Sequence, residues 1–128
     1  MQSRTRQRLD ELRLKLLRLH KILLDDEKEA YERIFGPVGG PGKLLGLVMS
    51  DPFFDWLHQI SRLIVRIDEI SENQEATDDM ANACVVEAVS LISSDKDSEF
   101  GRRYKTALSR NVHAVAAHSA VLKAVHDD

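Results

Sequence analysis

The chain has 128 residues, of which 43% are hydrophobic and 30% are charged, and its net charge is -3. This balance fits a single domain over residues 1–128 with one hydrophobic core, and it excludes a wholly disordered chain. The one cysteine, Cys84, cannot form an internal disulfide, and no apolar stretch is long enough to cross a bilayer, so we expect a cytoplasmic protein without membrane contact.

The first predicted element is a long amphipathic helix over residues 5–35, where no glycine or proline interrupts the chain. Leucines recur there at alternating spacings of three and four, the period of one helical face; they are Leu9, Leu12, Leu16, Leu19 and Leu23. Ala30 and Ile34 continue this seam. Such a helix measures roughly 45 Å, more than most domains of this size need. We therefore expect part of its seam to contact a second copy in a homodimer.

A segment rich in glycine and proline, residues 36–42, predicts the end of the first helix. A short helix over residues 43–49 is predicted to plug one end of the bundle, because its side chains are too apolar to be left in water. The second long helix starts at Pro52, after a cap at Ser50 or Asp51. Its inner face is predicted to consist of Phe53, Trp56, Ile60, Leu63, Ile67 and Ile70.

The sequence of the C-terminal half of the chain predicts further helices. Thr77 is the expected cap of a helix with a modest apolar face, and the helical period from Phe100 onwards describes either one helix or two that meet at Asn111. The predicted fold is all-α: an antiparallel bundle of four main helices plus a short connecting helix.

Three polar residues of the first helix, His20, Glu27 and Tyr31, share one stripe. If that stripe is buried its groups need partners, because an unpaired buried polar group costs about 1–3 kcal/mol. Arg62 and Arg66 on the second long helix are the predicted partners of Glu27. The favoured interpretation is a polar layer that fixes helix register. The alternative is a small-ligand or catalytic site formed by these five residues between the first two long helices.

The remaining patterns do not indicate a reaction. Asp55 and His58 stand three apart, but this pair has no second copy, and His113 and His118 lie too far apart around a helix to share an ion. No nucleotide-binding or nucleophile motif occurs. We expect no cofactor, no metal site and no catalytic residue, and we favour a non-enzymatic protein.

Charge is unevenly distributed along the chain. Residues 1–21 carry seven bases against two acids, whereas residues 68–99 carry ten acids against Lys96 alone. Clustered arginines on a helix could contact nucleic acid. Here they alternate with leucines that need burial, and no aromatic residues lie among them for base stacking. A solvated helix face is therefore favoured over a nucleic-acid partner.

Three runs of residues resemble those of small all-helical bacterial proteins of unassigned function. They are residues 16–32, which begin LLRLHK, residues 51–69, which begin DPFFDWL, and residues 99–104, EFGRRY. The resemblance implies a bacterial origin and transfers no site residues. The sequence as a whole predicts a self-associating or protein-interaction module.

Overall fold

The computed structural model describes residues 1–95 and 97–126, and every regular element in these ranges is a helix. The all-α prediction is confirmed. Lys96 and the last two residues lie outside the described ranges. The elements in chain order are α1 (Ser3–Phe35), α2 (Pro41–Ser50), a 3-10 helix (Pro52–Leu57), α3 (His58–Glu72), α4 (Asp78–Ile92), α5 (Glu99–Arg110) and α6 (Val112–His126).

Helix α1 packs against α3, α4, α5 and α6, and its leucine seam supplies much of the core. The five leucines of the seam are each 1% exposed or less within a single chain; they are Leu9, Leu12, Leu16, Leu19 and Leu23. Burying a leucine side chain stabilises the fold by roughly 1.5–3 kcal/mol. These five leucines therefore stabilise the single chain, and none of them is available to contact a second copy. Only the end of the seam differs, because Ile34 is exposed.

The second long helix begins with a tighter segment than the sequence predicts. Asp51 is the cap, since its Oδ1 accepts a hydrogen bond from the Phe53 amide at 2.9 Å. The 3-10 helix that follows has about three residues per turn, so side chains three apart share a face. Phe54 and Leu57 share such a face and are fully buried, and the predicted core residue Trp56 is also buried, whereas the predicted core residue Phe53 is only half-buried.

The C-terminal stretch consists of two helices separated at Asn111. This residue is extended, and its Oδ1 accepts hydrogen bonds from the amides of His113 at 2.9 Å and Ala114 at 3.2 Å, so that it caps α6. The described ranges therefore contain five helices of twelve residues or more, where the sequence predicted four main helices.

Helix α2 departs most from its prediction, because it contributes no buried residue. It follows a turn in which Gly36 and Gly39 have positive φ angles of 89° and 97°. It packs mainly against the 3-10 helix through half-buried side chains, which are Leu44, Leu47 and Val48. Leu45 and Met49 point into solvent. The prediction that this helix plugs the bundle and hides its leucines is therefore wrong for its outer face.

Candidate functional site

Two adjacent carboxylates of α1 are buried, with Asp26 8% and Glu27 3% exposed. Two arginines of α5 reach them. Arg103 Nη2 donates to Glu27 Oε1 at 3.0 Å, and Arg110 Nε donates to Asp26 Oδ2 at 2.8 Å. Asn111 Nδ2 donates to the other Asp26 oxygen at 3.3 Å. The buried charges are thus compensated within the chain, as buried ions must be to be tolerated.

Arg103 also joins this ionic layer to the 3-10 helix. Its Nη2 donates to the Phe53 carbonyl at 2.9 Å, and its guanidinium lies 5.1 Å from the centre of the Phe53 ring. A cation over an aromatic face is attracted by the ring quadrupole. One side chain therefore links α1, α5 and the 3-10 helix, which favours the polar-layer interpretation of Glu27.

The predicted pairing of Glu27 with Arg62 or Arg66 is wrong. Arg62 is exposed, and Arg66 pairs with Glu87 of α4. Both arginines lie on faces of α3 that do not meet Glu27, which faces α5 instead. The sequence did hold a signal for the true partners, since Arg103 and Arg110 are seven residues apart and so share one helix face.

His20 contacts Ser61 of α3. Its Nε2 lies 2.9 Å from Ser61 Oγ, and burial, together with the nearby His58, lowers the pKa of its imidazole. The Nε2 atom of His58 lies 2.7 Å from the Val48 carbonyl oxygen, and this contact links α3 to the C-terminal end of α2. These contacts are local ties between helices.

Tyr31 lies in an aromatic cluster, with ring centres 4.7 Å from Phe35, 5.4 Å from Phe53 and 5.5 Å from Phe54. A cleft of about 390 Å³ includes Tyr31 in its lining, and a separate cleft of about 450 Å³ on α3 includes Arg62 and Arg66. Neither cleft is lined by His20 or Glu27. The five residues predicted as one ligand site are thus distributed over different contacts.

The basic N-terminal segment is engaged inside the fold. Arg6 donates to the Ser71 carbonyl, Arg8 donates to the Val125 carbonyl, and Arg13 pairs with Asp68. Three of its bases therefore stabilise the docking of α1 on α3 and α6, and they are correspondingly less available to a phosphate backbone.

Burial disfavours the charged forms of three further groups, which are Tyr104, His118 and Cys84. Tyr104 Oη lies 2.7 Å from His118 Nδ1, and burial raises the pKa of the phenol and lowers that of the imidazole. Burial also raises the pKa of the Cys84 thiol, which disfavours the nucleophilic thiolate. Within residues 1–95 and 97–126, no group of three or more His, Cys, Asp or Glu side chains could hold a metal ion.

The most distinctive feature of the surface is apolar. Four large side chains at the end of α1 and on α2 are mostly exposed: Ile34 65%, Phe35 64%, Leu45 61% and Met49 70%. We call these four residues the α2 surface. The 390 Å³ cleft adjoins it, because Phe35, Gly46 and Leu47 line that cleft. The cleft brings the end of α1 beside α2, and large apolar side chains left exposed on both helices are typical of an interaction site.

No family model, curated protein or solved structure matches this chain. The resemblance to small bacterial helical proteins stays a prediction. In the described part of the chain, no helix is both long enough and apolar enough to cross a membrane. The function of the protein has to be inferred from its own contacts and surfaces.

The sequence led us to expect that part of the α1 seam contacts a second copy, and it did not identify α2 as an exposed apolar helix. The signal was the run of apolar residues in α2, whose large side chains occupy more than half of the helix circumference, with Gly42, Lys43, Gly46 and Ser50 on the remaining side. To hide such a wide apolar arc from water, neighbours must cover it from more than one direction. One neighbour inside the chain cannot do that.

Proposed function

We propose that this protein is a non-catalytic interaction module that self-associates through the α2 surface. The observation that supports this is a mostly apolar helix, α2, that contributes no buried residue in the single chain. Leaving such side chains in water forfeits about 25 cal/mol for each Å² of apolar surface that a partner could cover. As part of the proposal, we also expect that the helices run antiparallel and that the protein is bacterial and cytoplasmic.

The chemistry of the cleft beside α2 favours a protein partner. Its lining carries one charged side chain, Lys43, among aromatic, aliphatic and glycine residues. The centres of protein interfaces are depleted in charge and enriched in aromatic residues and methionine, as the α2 surface is. A nucleic-acid site would need several bases close together.

Sedimentation velocity over about 1–200 μM tests the proposal, because association through a surface depends on concentration. The wild type is compared with Leu45→Glu/Met49→Glu, which places charge on the α2 surface, and with Val86→Glu. Val86 is a matched control, since it is 68% exposed on α4. We expect association of the wild type and Val86→Glu but not of the double variant. Identical sedimentation of all three proteins would refute the proposed surface.

A further inference from the structure

We infer that the partner at the α2 surface is a second copy of this chain, placed so that the two α2 helices lie antiparallel and in close contact. This inference rests on the proposed function and specifies its partner and geometry. Three features of α2 point to it: two glycines on its outer side, the order of its exposed residues, and the placement of its charges.

The glycines of α2 have no role inside the chain. A Cβ built at Gly42 or at Gly46 would meet no atom within 4 Å, and both residues are exposed. Glycine in a helix is less stable than alanine, so two of them in ten residues need a reason. They stand one turn apart, on the same side as Leu45 and Met49. Missing Cβ atoms there allow the backbone of another helix to approach closely.

The two exposed apolar side chains of α2, Leu45 and Met49, stand two positions before and two positions after Leu47. When two α2 helices lie antiparallel with their midpoints at this residue, Leu45 meets the partner's Met49 and Met49 meets the partner's Leu45. A two-fold interface requires such a surface, because the same patch supplies both sides of the contact. The cleft lined by Tyr31, Phe35 and Leu47 lies beside these protruding side chains and can receive them.

The charges of α2 fit the same arrangement. Lys43 lies in the first turn of α2, where a positive charge is unfavourable because a helix is positive at its N-terminus. Asp51 lies at the other end of α2, where it caps the following 3-10 helix. In the antiparallel pair, Lys43 comes next to the partner's Asp51, which compensates its charge. An anionic lipid surface would instead meet no net positive charge here, because Lys43 and Asp51 cancel.

The first test enlarges the outer side of α2. Gly46→Leu adds an apolar side chain, and the monomer can accommodate it because the space around Gly46 is open. If close helix contact holds the dimer, the added bulk raises the dimer dissociation constant by about tenfold or more. Ala83→Leu, at an exposed position of α4, is the matched control and should leave that constant unchanged. Tighter association of Gly46→Leu would overturn the inference.

The second test addresses the direction of the helices. Lys43→Met and Asp51→Asn are made singly and together; asparagine keeps the cap of the 3-10 helix. Because each charge pair occurs twice in the dimer, each single variant should weaken association by about 3- to 10-fold. The double variant should be no weaker than either single variant, since all of them lose the same pairs. Additive effects would overturn the antiparallel arrangement.

The two proposals fail in different ways. Loss of association in Leu45→Glu/Met49→Glu with unaltered association in Gly46→Leu supports the α2 surface but overturns the close antiparallel contact. A wild type that stays monomeric at about 200 μM overturns both the inference and the proposed self-association. Cosedimentation of that monomer with vesicles of phosphatidylcholine and phosphatidylglycerol would then assign the surface to lipid.

Discussion

Arg103 of α5 donates a hydrogen bond to Glu27 of α1 at 3.0 Å, across 76 positions of the chain. This pair places the charge of Glu27 in the protein interior together with its counterion. The bond fixes how α5 lies on α1, because neither the guanidinium nor the carboxylate has an equivalent partner one turn away. The ionic layer therefore stabilises the architecture, and the function that we propose is assigned to the exposed α2 surface instead.

Arg103→Leu should destabilise the protein by about 2–3 kcal/mol, since it removes the bonds to Glu27 and to the Phe53 carbonyl and leaves a buried carboxylate undercompensated. The remaining contact to Glu27 is Arg110, at 3.7 Å. Urea unfolding measures the change in the free energy of unfolding. Arg102→Leu, the same substitution at the exposed neighbouring position, should change it by less than about 0.5 kcal/mol.

The double variant Glu27→Leu/Arg103→Leu sharpens this prediction. If the two side chains act as a pair, its loss of stability is smaller than the sum of the losses in the two single variants. Strictly additive losses would show that Arg103 stabilises the protein through other contacts.

Asn111→Ala should cost about 1 kcal/mol, because it removes the side-chain cap of α6. It also removes the bond from Asn111 Nδ2 to Asp26, so the loss should exceed that of an ordinary exposed cap. The helical signal in circular dichroism, followed against urea, gives the free energy of unfolding. The control is Asn82→Ala, at an exposed position within α4. Equal stability of both variants would contradict a capping role for Asn111.

Two half-buried histidines, His20 and His118, should make stability depend on pH. Burial lowers the pKa of His20 and of His118 below the ordinary value of 6.5, and the nearby His58 adds to the effect at His20. The unfolded chain therefore takes up protons at a higher pH than the folded chain. The stability that these neutral imidazoles contribute is complete above 6.5 and is lost as the pH falls through 6.5 toward their folded pKa values.

Urea unfolding at about pH 7 and about pH 5.5 measures this loss as a drop in the free energy of unfolding. His20→Gln/His118→Gln should show a smaller drop than the wild type. His113→Gln, at an exposed position of α6, should show the wild-type drop. An unchanged pH dependence in the double variant would contradict the assignment to these two histidines.

The buried faces of α1 and α3 could be predicted because the spacing of apolar residues along each helix is enough to indicate them. Leu9 to Leu23 and Ile60 to Ile67 repeat with the helical period, and such spacing indicates which side is hidden whatever covers it. The sequence could not show what covers it. Leucines that were expected to meet a second copy are covered by the other helices of the same chain.

The partners of Glu27 and the exposure of α2 depend on tertiary packing, which spacing along one helix does not reveal. Arg62 and Arg66 lie on the helix that was predicted to neighbour α1, but the packing of α5 brings Arg103 and Arg110 to Glu27 instead. For α2, composition alone predicted burial. Burial within one chain and burial within an assembly require the same apolar side chains, so the sequence could not distinguish them.

The most direct measurement of the α2 surface is amide hydrogen exchange, read by mass spectrometry at increasing protein concentration. Peptides that cover α2 should exchange rapidly in dilute protein and become protected as the concentration rises, because a partner then covers a helix that has no buried residue in the single chain. Peptides from α4 around Val86 should not change. Protection of α2 that is the same at every concentration, in a protein that still associates, would contradict self-association through this surface.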